Sequence, residues 1–175
     1  MAVKRLNHAV LYVRNVDRSV AFYQDALGFK VASQFPGAAF LQVPDSHNDH
    51  DLGLFEVGPQ AGPNPAGRGA VGLYHLAWEV ETLGELEEVA GRLKQLGALV
   101  GASDHGTTKA LYAKDPDDIE FEVSWLVPRE LLDDEVLKAR ATTRPLDLAK
   151  EIARYGPTTP GLRTVLYESA GRRPG

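Results

Sequence analysis

Apolar and polar positions alternate and cluster along the chain in a way that predicts two rounds of the same element order. LNHAVLYV, residues 6–13, is apolar and rich in β-branched residues, which predicts a strand. Asp17 can cap the segment behind it, where Val20, Tyr23 and Leu27 fall at helical spacing before Gly28 supplies a stop. FKVASQF and AAFLQV read as strands on either side of a Pro36-Gly37 turn, and DLGLFEV (51–57) as another. The order so far is β-α-β-β-β. GPQAGPNPAGRGAVG (58–72) has no periodicity and reads as a crossover loop. Then GLYHLAWEV predicts a strand, and Leu83, Leu86, Ala90, Leu93 and Leu96 form a helical stripe ended by Gly97. LVGASDHG, KALYAKD and IEFEVSW follow as three strand candidates.

Register supports a repeat. His8 stands third in LNHAV and His75 third in LYHLA, 67 residues apart, while Glu56 in LFEVG and Glu122 in EFEVS are 66 apart. Both ends of the two halves superpose within one residue, so two copies of one βαβββ unit are expected. The expected organisation is one α+β domain over residues 1–125, with modules 1–58 and 72–125 and a linker at 59–71, followed by an extension at 126–175. Within the extension, PRELLDDEVLKARA predicts a helix after Pro128, and LDLAKEIARYG a second with Leu146, Ala149, Ile152 and Ala153 on its apolar side. The end, YGPTTPGLRTVLYESAGRRPG, is expected to be irregular and partly mobile. Such an appendage is expected to cover a sheet edge or a subunit interface.

Composition narrows the partners. With 19 basic and 24 acidic residues among 175, the formal net charge is −5 and there is no basic stripe, which argues against nucleic acid or an anionic membrane surface. Hydrophobic residues make up 43 % and charged residues 25 %, an ordinary balance for a water-soluble fold. No apolar run approaches the ~20 residues that cross a bilayer. MAVKRLNHAVLYV runs into the first strand pattern without a signal-peptide cleavage site, so a cytoplasmic location is expected. The chain has no cysteine, which leaves only nitrogen and oxygen ligands for any metal.

Strand alternation then sorts the chemistry. In DPDDIEFEVSW, Ile119, Phe121 and Val123 share one face and Glu120 and Glu122 the other. In LYHLAWEV, Leu76, Trp78 and Val80 face a core while His75, Ala77 and Glu79 face away. His8 holds the repeat-equivalent place to His75. Curved sheets with their helix-free faces inward would let His8, His75 and Glu122 converge as two imidazoles and a carboxylate, a facial triad that leaves coordination positions open. Taken singly, each of these side chains is more often a surface residue. Their joint placement at repeat positions is what singles them out. Glu120, whose repeat counterpart is Leu54, is expected to be solvated or salt-bridged.

LNHAVLYVRNVDRSVAFYQDALGF, GLYHLAWEV and HGTTKALYAKDPDDIEFEVSW together resemble the vicinal oxygen chelate superfamily, which includes glyoxalase I, extradiol ring-cleavage dioxygenases and bleomycin- and fosfomycin-resistance proteins. The resemblance covers about residues 5–125, and it implies curved mixed sheets of two βαβββ modules around a metal held by His8, His75 and Glu122. The closing segment resembles the extradiol dioxygenases most: Tyr112 lies ten residues before Glu122, and His105 shortly before Tyr112. NDHDLGLF (48–55) resembles the region of their acid–base histidine, with Asp51 where that residue is expected and His50 beside it. The resemblance implies Fe²⁺ first, with Mn²⁺, Ni²⁺ or Zn²⁺ as alternatives, O₂ and a catecholic or other vicinal-oxygen substrate. It implies proton transfer by His50 or His105, a substrate hydrogen bond from Tyr112, and a homodimer. A glyoxalase I-like isomerase or lyase with Glu56 as a fourth ligand, and a metal-free antibiotic-binding protein, are the other readings.

Overall fold

A computed structural model describes residue 3 and residues 5–65 and 69–162. Of the end expected to be irregular, residues 155–175, residues 163–175 lie outside the described residues.

The first half folds as β1 (Ala9–Val13), α1 (Val16–Leu27), β2 (Lys30–Phe35), β3 (Ala38–Gln42) and β4 (Leu52–Glu56). The second follows the same order with β5 (Leu76–Glu79), α2 (Leu83–Gln95), β6 (Leu99–Asp104), β7 (Thr108–Lys114) and β8 (Glu120–Leu126). The sheets repeat as well. One has the strand order β1-β4-β3-β2, the other β5-β8-β7-β6, extended at its β6 edge by β9 (Arg144–Pro145). The architecture is the expected mixed α+β one. β5 is shorter than the predicted strand. His8 and His75 each fall one residue before the first strand of their module.

By compactness the chain divides into two units: Met1–Leu76 with Gly91–Val100 and Ala113–Phe121, and Ala77–Ala90 with Gly101–Tyr112 and Glu122–Gly175. In the first unit, α1 buries Val16, Val20, Phe22, Tyr23 and Ala26, and the sheet buries Leu41, Leu52 and Leu54. Edge-to-face packing centres on Tyr23, whose ring lies 5.4 Å from Phe22 and 5.8 Å from Phe29. The cap of α1 is Asn15, whose side chain accepts from the Arg18 N–H at 2.7 Å, and not Asp17. Asp17 lies inside the first turn and instead accepts from the Gln34 amide at 2.7 Å. The helix starts two residues earlier than the apolar stripe implied because Asn15 already has the extended backbone a cap needs. Gly28 ends it at φ 74°, as expected.

The DPDD turn is also in this unit, and its first carboxylate organises it. Asp115 Oδ1 accepts from the N–H groups of Asp117 (2.8 Å) and Ile119 (2.9 Å), and Oδ2 accepts from the Tyr23 hydroxyl at 3.1 Å. Asp118 takes the left-handed conformation, φ 63°, that the short polar side chain of Asp tolerates. Burial pushes both the Asp115 carboxyl and the Tyr23 phenol up, the phenol also through the charge beside it. Asp117 moves the other way. Burial opposes its ionisation, but the Arg14 N–H, the Arg14 guanidinium (2.9 Å) and Arg18 (2.7 Å) outweigh that and hold it low. This turn therefore ties the start of β8 to the start of α1.

In the second unit, Trp125, Val123 and Leu111 are buried. The extension is not one long helix followed by another. A single 3₁₀ turn, Arg129–Leu131, precedes α3 (Asp134–Ala139), because Asp133 breaks the run by capping α3 through the Val136 N–H at 2.8 Å. α4 (Leu148–Tyr155) follows β9, capped by Asp147. Its expected apolar side is not what faces inward. Ala149 and Ala153 are exposed, and the buried residue is Glu151, which meets the buried Lys109 Nζ at 2.8 Å. Lys109 also meets Asp104 at 2.6 Å, and Arg144 meets the same carboxylate at 3.0 Å. A charged cluster thus does what an apolar face was expected to do. Burial opposes ionisation of Asp104, yet Lys109, the Gly106 N–H and Arg144 hold its carboxyl below the usual range.

No described helix is long and apolar enough to cross a membrane.

Candidate functional site

The candidate residues fall into groups that can be described within each unit. In the first, His8 is exposed, with Nδ1 2.7 Å from Asn7 Oδ1. Its ring packs against His50 at a centroid distance of 4.5 Å, and the His50 ring in turn meets Phe40 at 4.8 Å. His50 Nδ1 lies 2.9 Å from Asp49 Oδ2. Strand register brings the segments together: β1 and β4 run parallel with Ala9 opposite Leu52, so the chain just before β1 lies beside the chain that leads into β4.

Asp51 has a different task. It is buried, accepts from the Val43 N–H (2.9 Å), the Ser46 hydroxyl (3.0 Å) and the Asn48 amide (2.6 Å), and so holds the 43–51 loop in shape. Of the two candidates in this segment, His50 is the one that reaches His8. Glu56, the candidate fourth ligand, is exposed on the sheet but not idle: its Oε2 accepts from the Val16 N–H at 3.0 Å. It completes the capping of α1, where a carboxylate also meets the positive end of the helix dipole. His75 is half-buried with its ring 4.6 Å from that of Tyr74.

A cavity of about 470 Å³ opens in the first unit. Val10 and Tyr12 of β1, which share the parity of His8, line it with Val57, Leu73, Tyr74 and Ile119. The Arg14–Asp117 ion pair forms its polar side. An apolar wall with a few fixed polar groups suits a small organic ligand. Sequence reading missed this lining, although the alternation of Val10 and Tyr12 with His8 was there to be used.

In the second unit, Glu122 is half-buried on β8 between the buried Phe121 and Val123, on the face opposite the core, as alternation predicts. Glu120 lies 3.9 Å from Lys114, the salt-bridged neighbour expected of it. His105 and Tyr112 are brought together: Nε2 lies 2.9 Å from the phenol oxygen. They sit at opposite ends of the β6–β7 hairpin, and its turn at Gly106 (φ 74°) folds one back on the other. The other ring nitrogen, Nδ1, lies 3.3 Å from Thr143 Oγ1. Thr143 comes from the extension and has no motif around it. Among the described residues no three His, Asp or Glu side chains are gathered closely enough to hold a metal ion. The donor chemistry of His8, His75 and Glu122 suits a divalent cation.

Comparison with known proteins agrees with the strand order. The chain is 33 % identical over 112 residues to a catechol-2,3-dioxygenase of Bacillus subtilis, a match covering 64 % of this chain and 38 % of that protein. It is 34 % identical over 134 residues to biphenyl-2,3-diol 1,2-dioxygenase 3 of Rhodococcus globerulus, covering 74 % and 68 % of the two chains. A lactoylglutathione lyase of Neisseria meningitidis is 31 % identical over 126 residues, covering 67 % of this chain and 88 % of the lyase. Among solved structures, a glyoxylase/bleomycin resistance protein/dioxygenase domain from Frankia superposes with a TM-score of 0.57 at 23 % identity, covering 70 % of this chain and 92 % of that domain. The chain thus spans little more than a third of the Bacillus protein's length. Residues 5–123 match the family model described as Glyoxalase/Bleomycin resistance protein/Dioxygenase superfamily, and the chain belongs to that superfamily.

Proposed function

We propose that this protein is a metal-dependent dioxygenase of the extradiol type, acting on a small catecholic or other vicinal-oxygen substrate with O₂. The observation that carries the reading is the contact of His105 Nε2 with the Tyr112 hydroxyl at 2.9 Å, on the strand before the one that bears Glu122. A hydroxyl backed by an imidazole can take a proton from a substrate oxygen and pass it on. The two dioxygenase relatives support the same reading.

The ligands in this proposal are His8, His75 and Glu122, chosen by repeat register and donor type. A divalent metal, Fe²⁺ first and Mn²⁺, Ni²⁺ or Zn²⁺ otherwise, would supply Lewis acidity and, if iron, redox capacity. His105, behind the Tyr112 hydroxyl, and His50, packed on His8, are the proposed acid–base groups. The cavity beside β1 would hold the substrate's apolar body, with Val10, Tyr12 and Tyr74 against its faces and water excluded from them. A homodimer is part of the proposal. A cytoplasmic location belongs to it as well.

The lactoylglutathione lyase relative favours a second reading, a glyoxalase-like enzyme with Glu56 as fourth ligand. The hydrogen bond from Val16 to Glu56 weighs against it, because ligation would have to withdraw the carboxylate from the helix start.

The test is to purify the protein anaerobically, measure bound metal and follow O₂ uptake with a panel of catechols. Bound iron with a yellow ring-cleavage product is expected, and Tyr112→Phe should lower kcat by ~100-fold, the lower range for a lost acid–base group. Nickel or zinc with no oxygen uptake would support the lyase reading, and a protein that binds no metal would overturn both.

A further inference from the structure

We infer that Thr143, in the C-terminal extension, is a positioning residue that fixes His105 with its proton on Nδ1 and its basic nitrogen, Nε2, on the Tyr112 hydroxyl. The inference deepens the dioxygenase reading and rests on it for what the Tyr112 proton is used for.

A neutral imidazole has one donor nitrogen and one acceptor nitrogen. His105 has a hydroxyl at each: Tyr112 Oη 2.9 Å from Nε2 and Thr143 Oγ1 3.3 Å from Nδ1. The two bonds must therefore run in the same sense around the ring. Either Tyr112 donates and Thr143 accepts, or the reverse. A phenol, with an ordinary pKa of about 10, is a far stronger donor than an aliphatic hydroxyl. The favoured sense is thus Tyr112 O–H to Nε2 and Nδ1–H to Thr143 Oγ1. This is the hydroxyl, base and orienting group of activated-hydroxyl sites in general.

The orienting group must itself be held, and three features hold it. The backbone beside Thr143 is a turn closed by the Thr142 N–H and hydroxyl, both donating to the Ala139 carbonyl at 2.9 Å. On its other side β9 pairs with β6, placing Arg144 opposite Asp104, and the side chains of that pair also meet at 3.0 Å. Below it α3 lies directly on the hairpin turn. A Cβ built on Gly106 would stand 2.5 Å from the Val136 carbonyl oxygen and 2.8 Å from the Arg140 nitrogen. Residues 104–106 and 136–144 are therefore in close contact along their length, and Thr143 is delivered to His105 by the backbone.

In use, a substrate O–H donates to the Tyr112 oxygen as the Tyr112 proton moves to His105 Nε2. The substrate loses one proton, Tyr112 stays neutral, and His105 becomes an imidazolium whose Nδ1–H remains on Thr143. The extension thereby contributes to proton transfer without touching substrate.

The experiment is ¹⁵N NMR of the imidazole nitrogens in the full chain, with the His105 signals assigned by His105→Gln. The expected wild-type state is the Nδ1–H tautomer. Thr143→Val, which keeps the shape and removes the hydroxyl, should shift the ring toward Nε2–H, and Thr143→Ser should restore the wild-type pattern. On an active substrate, Thr143→Val should lower kcat about 10-fold, in the range typical of outer-shell partners, with KM little changed. A wild-type ring already in the Nε2–H form, or a Val variant with an unchanged spectrum, would overturn the inference. The tautomer readout needs no turnover. If the spectra behave as expected and no catechol is cleaved, the dioxygenase reading fails and the positioning role stands.

Discussion

The two helix starts hold equivalent places in the repeat and are capped by different means. α1 uses Asn15 and then a carboxylate from across the sheet, Glu56, which accepts from the Val16 N–H. α2 is capped from its own sequence. The Thr82 hydroxyl accepts from the Glu85 N–H at 3.2 Å, while Glu85 Oε2 accepts from the N–H groups of Thr82 (3.0 Å) and Glu81 (2.7 Å). That is a capping box, Thr-Leu-Gly-Glu, closed without help from a neighbouring strand. Glu122, the repeat counterpart of Glu56, is therefore not required at a helix start. One half draws a carboxylate from across the sheet to its helix start, and the other closes its helix start with residues of its own turn. Two copies of a module can diverge in function by where each finds its cap.

That difference can be broken experimentally. The largest effect is expected at Glu122: Glu122→Ala should lower bound metal, measured by elemental analysis, by well over ~10-fold, since even outer-shell partners cost that much. Glu56→Ala should leave metal content unchanged. An equal loss at both positions would favour a four-ligand site and remove the contrast.

Next in size is the cluster that ties the extension to the second sheet. Lys109→Met leaves two buried carboxylates, Asp104 and Glu151, without their shared cation, and should cost about 3–5 kcal/mol in urea unfolding. A loss below ~1 kcal/mol would mean that the cluster is already solvated.

Acid sensitivity is set by this cluster through Asp104 and, in the first unit, by Asp117 with Arg14 and Arg18. Asp104 and Asp117 have folded pKa values held below their unfolded ones, near 3.9. Their contribution is therefore complete above that value and is lost as pH falls through the folded pKa. Stability should drop from about pH 5 downward, and Asp104→Asn, though weaker at pH 7, should show a shallower drop. An unchanged slope would assign the acid loss to other groups.

The smallest effects sharpen the original comparison. Glu56→Ala and Thr82→Ala should each cost about 1 kcal/mol, the usual value of one helix cap. If Glu56→Ala costs nothing while Thr82→Ala does, Asn15 alone suffices for α1.

Much of the fold was legible because it depends on local pattern. The βαβββ order, Gly28 as a helix stop, and the outward direction of Glu120 and Glu122 all follow from periods of 2 and 3.6. The misreadings share a cause. Asp17 lost the cap to Asn15 because several polar residues precede the stripe and only backbone conformation chooses among them. The inward side of α4 carries Glu151 because burial follows the partner, here Lys109, and hydrophobicity along one helix cannot name a cation 42 residues earlier. Asp51, which stands where the resemblance expects a histidine, is held by the 43–51 loop, which needs its carboxylate.

By itself the sequence determined the repeat, the element order and which residue types could do chemistry, since these rest on spacing along the chain. Tertiary structure decided which of those residues are already committed. Glu56 to a helix end, His50 to His8 and Thr143 to His105 are pairings between segments far apart in sequence. Each is set by where folding brings a donor within about 3 Å of an acceptor, or one ring against another, and no local pattern records it.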